Sequence, residues 1–152
     1  MQPLDLDWQQ LLSYLLNLVM AFILTLPIAW DRERHSRSMG LRTFPIVGVS
    51  SAAFVLIARV TIGNDPDAHA RIIQGLMTGV GFIGGGAILK GDGDVSGTAT
   101  AASIWATGAV GAATAYGRVE IALLISLLNF AMLRLLQPVK NQMGVVDESD
   151  EG

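Results

Sequence analysis

Four charged residues in succession, Asp31-Arg32-Glu33-Arg34, close a stretch from Trp8 to Trp30 that carries no charge, and Arg42 follows shortly after. Carboxylates and guanidiniums at such an edge can do one of two things. Solvated, Asp31 pairs with Arg34 at i+3 and Glu33 with Arg37 at i+4, and the segment anchors a helix end. Turned toward neighbouring helices, Asp31 or Glu33 pairs with Arg42 and forms part of an ion or proton site. Spacing alone leaves both open. Asp92 and Asp94, in the turn GDGDVSG, offer the hard oxygen ligands that Mg²⁺ takes, though two loop carboxylates are a sparse set. Thr98, Thr100, Ser103 and Thr107 recur at short spacings, and Thr100, Ser103 and Thr107 share one helical face with Gly111. That face either packs on another helix or lines a polar path.

Catalytic chemistry has little material. His35 and His69 stand alone, there is no Ser/His/Asp or metal–histidine constellation, and cysteine is absent. No enzyme activity, cofactor or nucleic-acid partner is expected. Gly79, Gly81 and Gly84 spell G-x-G-x-x-G, but a dinucleotide site needs a preceding strand and an acidic residue about 20 positions on. Here the flanks are apolar, and after Asp92 and Asp94 the next acidic residue is Glu120. The same glycines make small-xxx-small pairs, Gly75/Gly79 and Gly81/Gly85, a packing signal within or between protomers. Alternatively, Gly84-Gly85-Gly86 breaks a helix and opens its carbonyls to a cavity.

The elements that must hold these groups are set by where charge is missing. The chain has 152 residues, 51% hydrophobic and 15% charged, against about 25% charged in globular domains. The deficit is concentrated in five runs, each long enough, or nearly so, for the ~20 residues of a spanning helix. The expected fold is an all-α, polytopic membrane bundle with spans near Trp8–Trp30, Phe44–Ile62, Ile72–Leu89, Thr98–Tyr116 and Val119–Leu136. Eleven of the seventeen glycines lie between Gly75 and Gly111. Each costs about 1 kcal/mol in a soluble helix, a density that close-packed membrane helices accept. Pro27 should kink the first span or loosen its last turn.

Orientation follows from the basic residues. Arg32, Arg34, Arg37, Arg42, Lys90, Arg134 and Lys140 fall on one side, with Arg59, Arg71 and Arg118 on the other. Seven against three places the N-terminus outside and the C-terminus in the cytoplasm. A start of MQPLDLD lacks the basic n-region of a signal peptide, so the first run is expected to stay. Residues 1–138 make the transmembrane domain, and 139–152 a short acidic tail expected to be disordered.

Three motifs in this order resemble the membrane domain of the MgtC/SapB family. DRERHSRSMGLRT, Asp31 to Thr43, is similar to the family's acidic-Arg-Glu segment followed by G-L-R-T. Arg71 with GVGFIGGGAIL is similar to G-I-G-F-L-G-A-G-x-I, which takes in Gly81, Gly84 and Gly86. VSGTATAASIWATGAVG, with Thr100 and Trp105, is similar to G-L-T-T-A-A-S-L-W and its small-residue run. Two departures stand out: Thr98-Ala99 replaces Leu followed by Thr or Asn, and no counterpart follows span five of the soluble cytoplasmic domain that virulence-associated members carry. The resemblance implies a bacterial inner-membrane protein serving growth in low Mg²⁺ and, in pathogens, survival in macrophages. It implies a regulator or partner-binding module, with ATP synthase as one membrane partner. A small ion transporter or channel and a homodimerising scaffold are the alternatives.

Overall fold

The computed structural model describes residues 7–35, 39–90 and 95–147. Five helices form there: α1 (Trp8–His35), α2 (Thr43–Ile62), α3 (Pro66–Gly85), α4 (Thr98–Ala115) and α5 (Val119–Asp147). Between α3 and α4, β1 (Leu89–Lys90) and β2 (Val95–Ser96) pair antiparallel in a two-residue ribbon. Three helices, α1, α2 and α5, are long and apolar enough to cross a membrane. In α3 and α4 glycine, alanine and hydroxyl residues lower the apolar content.

The bundle is apolar outside and small and polar inside. Leu12, Leu15, Leu16, Phe22, Ile23, Leu124, Leu127 and Leu128 lie exposed on α1 and α5, while Thr25, Ser51, Thr100, Ser103, Thr107, Thr114 and Ser126 are buried. A soluble helix would present its polar face outward. This inverted arrangement is that of a protein solvated by lipid, where small residues at helix crossings let backbones approach. α4 is central and touches the other four helices; α3 packs on α2 and α4, and α5 on α1 and α4.

Local chemistry explains the boundaries that differ from expectation. α1 continues past Trp30 to His35, because Asp31 and Arg32 are buried in the bundle rather than released to water. α3 begins at Pro66, not Ile72. The Asp65 side chain accepts from the backbone N–H of Asp67 and Ala68 at 3.0 and 3.3 Å, and Pro66 takes the first helical position, where its missing N–H costs nothing. α3 stops at Gly85, short of the expected Leu89. α4 ends in a turn where Gly117 has φ +73° and the N–H of Arg118 and Gly117 reach the carbonyls of Ala113 and Thr114, both at 2.9 Å. This is a Schellman cap with glycine at its left-handed position. α5 runs through Pro138 to Asp147 instead of stopping at Leu136. One lost backbone bond is tolerated on a helix flanked by Gln137 and good helix formers. The expected disordered tail is thus helical to Asp147, and residues 148–152 lie outside the described residues.

Candidate functional site

α1 carries Asp31 to the end of the bundle where α1 and α5 meet. Its carboxylate is fully buried. Oδ2 accepts from Arg32 Nη2 at 2.5 Å and from Arg32 Nε at 3.2 Å. Oδ1 lies 2.8 Å from Arg134 Nε on α5 and 3.6 Å from His35 Nδ1. The Arg134 contact is an ion pair whose N–H is not aligned on the oxygen, so Oδ1 has a charge beside it but no hydrogen bond. A buried carboxylate needs such partners, because leaving water unpaired would neutralise it. The last turn of α1 reinforces the placement: His35 Nδ1 is 2.8 Å from the Asp31 carbonyl, and a donor there suits the negative end of the helix dipole.

The neighbouring charges have other uses. The Arg34 guanidinium sits 4.7 Å from the Trp30 ring centroid, and that of Arg134 5.6 Å from Phe130. Glu33 Oε2 accepts from the Leu41 N–H at 2.8 Å, closing the connection to α2. Gly40 is required there, since a Cβ would meet the Glu33 backbone at 2.8 Å and overlap its carboxylate. The expected pairs are therefore corrected. Asp31 joins Arg32 and Arg134, not Arg34, because Asp31 points into the bundle and Arg34 onto an exposed tryptophan. Arg42 is exposed at the N-cap of α2 and has no ion pair among the described residues. Arg37, Asp92 and Asp94 lie outside the described residues. Two guanidiniums already serve Asp31, so a cation at this carboxylate would have to displace an arginine. Among the described residues no three acidic, histidine or cysteine side chains gather to hold a metal ion.

The hydroxyl face of α4 is a packing seam. Thr107 Oγ1 donates to the Ser103 carbonyl at 2.8 Å and Thr114 to that of Gly111 at 2.7 Å. Ser103 Oγ donates to Asn129 Oδ1 of α5 at 3.1 Å. Ser126 Oγ of α5 reaches the Leu24 carbonyl of α1 at 2.5 Å, in the turn before Pro27. Thr100 is buried on the same face. At the α2–α4 crossing a Cβ on Gly111 would overlap the Gly48 carbonyl oxygen, and one on Gly48 would come within 2.6 Å of Thr25 Cγ2. Three helices close on each other there.

The glycines of α3 divide in a way their spacing does not reveal. Gly84 packs on the Ala101 carbonyl, 3.1 Å from its would-be Cβ, and Val80 fills the space over Gly108. Gly75, Gly79, Gly81 and Gly85 have nothing within 4 Å. Of the two readings of the small-xxx-small pairs, packing within the protomer does not hold: all four glycines lie on the open side of α3. The expected break at Gly84–Gly86 is an ordered helix end. The N–H groups of Gly86, Ala87 and Ile88 take the carbonyls of Phe82, Gly84 and Gly85 at 3.2, 2.9 and 3.2 Å, so these carbonyls face no cavity. Gly97, φ +86°, closes the ribbon against the Ala87 carbonyl, where a Cβ would overlap. Half-exposed Trp105 helps line an apolar groove of about 270 Å³ among α3, α4 and α5, with Leu76, Val80, Ala109 and Ile125. Arg71 is exposed on α3, and Thr43 is half-buried at the start of α2.

Arg134, Asn129 and Ser126 are the residues that motif reading passed over. Arg134 had a signal, being the one charge between Glu120 and Lys140. A lone arginine in an apolar helix calls for a carboxylate.

Known proteins share this arrangement of sequence. The model of the MgtC family matches residues 18–142. MgtC of Salmonella typhimurium strain LT2 is 31% identical over 139 residues, covering 91% of this chain and 59% of the relative. SrpB of Synechococcus elongatus is 34% identical over 148 residues, 88% of this chain and 80% of the relative. YhiD of Escherichia coli K12, named as a candidate magnesium transporter, is 31% identical over 132 residues, 81% and 60%. The chain thus spans about three-fifths of the Salmonella and Escherichia relatives. No solved structure matches. With the family model covering most of its length, the chain belongs to the MgtC family.

Proposed function

We propose that this chain is a multi-pass protein of the bacterial inner membrane that serves adaptation to low magnesium, acting on a partner rather than conducting ions. Its N-terminus would face outward and the Asp31 end the cytoplasm, following the distribution of basic residues. The observation that carries the reading is the family match over residues 18–142, joined by the magnesium-related name of one relative. Preference for a regulator over a conduit rests on the interior. Buried hydroxyls bond to helix carbonyls and to Asn129, and the Gly48–Gly111 contact closes the α2–α4 crossing. Partners of the same reading are a membrane enzyme such as ATP synthase, or a second copy docked on the open glycines of α3.

Deletion of the gene tests this. Growth should slow in limiting Mg²⁺, with membrane potential altered, and the chain supplied in trans should restore both. Unchanged growth and potential would reject the reading. Ion flux in proteoliposomes that vanishes with Asp31→Ala would favour a transporter instead.

A further inference from the structure

One small device occurs twice, on adjacent helices, at the Asp31 end of the bundle. On α1 the Arg34 guanidinium lies 4.7 Å from the ring centroid of Trp30, one turn before it. On α5 that of Arg134 lies 5.6 Å from Phe130, again one turn before. The two helices run the same way and in register here, since Leu24 meets Ser126 and Asp31 meets Arg134. Each aromatic–arginine pair closes a row of exposed or half-exposed apolar residues. Ile23 and Trp30 lead to Arg34, and Leu123, Leu127 and Phe130 lead to Arg134, spacings that keep each row on one face of its helix. We propose that the outer edge of the α1–α5 seam binds an anionic phospholipid, its phosphate held by Arg34 and Arg134 and an acyl chain laid along the two rows.

Charge selects the headgroup. Arg32, Arg34 and Arg134 stand against one buried carboxylate, Asp31. Glu33 is turned to the α2 side, where it accepts from the Leu41 N–H. Arg32 already hydrogen-bonds Asp31 through Nε and Nη2. Arg134 presents only Nε to that carboxylate, out of line for a hydrogen bond, and its terminal N–H groups have no acceptor among the described residues. Arg34 has no carboxylate partner among them either. Unmatched positive charge beside hydrocarbon is costly, and a phosphodiester offers guanidinium the geometry it pairs with best. A zwitterionic headgroup brings its own cation and leaves the excess in place.

Depth selects a lipid over a dissolved anion. From Trp8 to Trp30 the uncharged part of α1 rises about 33 Å, against a hydrocarbon core of about 30 Å. Trp30 and the Asp31–Arg134 pair therefore stand at headgroup level, where half-exposed tryptophan belongs. The row from Leu123 to Arg134 is about 16 Å long, which is one leaflet of hydrocarbon. A phosphate at Arg134 thus has its chain beside leucines for the full depth of that leaflet. Toward the interior the guanidinium is backed by Asp31, so the anion enters from the side. Binding here needs only the membrane location and would stand apart from any role in magnesium adaptation.

Native mass spectrometry of the full chain in detergent tests the proposal, with dioleoyl phosphatidylglycerol and dioleoyl phosphatidylcholine as the probes. A guanidinium at a charged headgroup is worth about fivefold in binding, so two should favour phosphatidylglycerol by about 25-fold. Arg34→Gln and Arg134→Gln should each lower that preference about fivefold. Arg42→Gln, which removes an exposed charge from the same end but from neither row, should leave it unchanged, and excess inorganic phosphate should leave the lipid bound. Equal retention of the two lipids, displacement by inorganic phosphate, or a loss in Arg42→Gln matching that in the row variants overturns the site. A wild-type dimer that carries no lipid overturns it too, by making the seam an interface between copies. Should Arg134→Gln fail to fold for want of its pairing with Asp31, Arg34→Gln, which touches no carboxylate, decides.

Discussion

Two glycine-to-alanine changes thirty-two positions apart should have opposite signs. At Gly111 the new methyl would overlap the Gly48 carbonyl oxygen and lie 2.9 Å from both the Gly48 carbonyl carbon and Ser51 Cβ. Ordinary carbon–carbon contact is about 3.5–4.0 Å, so α2 and α4 must separate by roughly 1 Å. A gap of that size forfeits between about a quarter and a half of the attraction at each contact. Overpacking costs about 1–3 kcal/mol, and opposing atoms that are backbone, unable to rotate aside, put Gly111→Ala near the top. The better helix propensity of alanine returns about 1 kcal/mol, for a net loss near 2 kcal/mol. Gly79→Ala meets nothing within 4 Å and keeps the ~1 kcal/mol of propensity. For a chain of this length each kcal/mol moves Tm by about 2–4 °C. Gly111→Ala should melt about 4–8 °C below wild type and Gly79→Ala about 2–4 °C above it, followed by circular dichroism in one detergent. Should Gly111→Ala prove as stable as Gly79→Ala, the close α2–α4 crossing would be refuted.

The Asp31 cluster and the ribbon make two further predictions. Asp31→Ala leaves buried Arg32 without its counter-charge and should cost about 3–5 kcal/mol, whereas Arg134→Ala, which removes a side chain that is 42% exposed, should cost about 1 kcal/mol or less; equal losses in detergent unfolding would contradict the asymmetry. Gly97→Ala forces a positive φ worth about 1–2 kcal/mol and a clash with the Ala87 carbonyl, so limited proteolysis should cut the connection between α3 and α4 faster than in wild type, with an unchanged rate counting against the tight closure.

Five uncharged runs, read for length, were enough to place five helices, because lipid demands that backbone bonds be satisfied within each segment. Helix ends were less legible for reasons that particular residues show. A rule that stops a span at its first charge stops α1 at Trp30. The helix goes on because Asp31 meets Arg134, far along the chain, and no local pattern encodes that meeting. Glycine density announced close packing but not its location. Gly84, Gly108 and Gly111 sit under neighbouring backbone or Val80, while Gly75 and Gly79, which carry the small-xxx-small spacing, face open space. Which side of a helix is covered depends on its partners. For the hydroxyls of α4 the choice between seam and path turned on Asn129 and on carbonyls of the same helix, groups that a motif does not mention.

The joining of α1 to α5 through Asp31–Arg134 and Ser126–Leu24 has a consequence in time. Ribosomes add about 5–20 residues per second, so the arginine that completes the Asp31 site is made roughly 5–20 s after the aspartate. Throughout that interval the Asp31 carboxylate of α1 has Arg32 as its only nearby guanidinium, and the Leu24 carbonyl lacks the added hydrogen bond from Ser126. Helix α1 is thus finished by α5, and a nascent chain stalled before α5 emerges should be a ready substrate for membrane proteases.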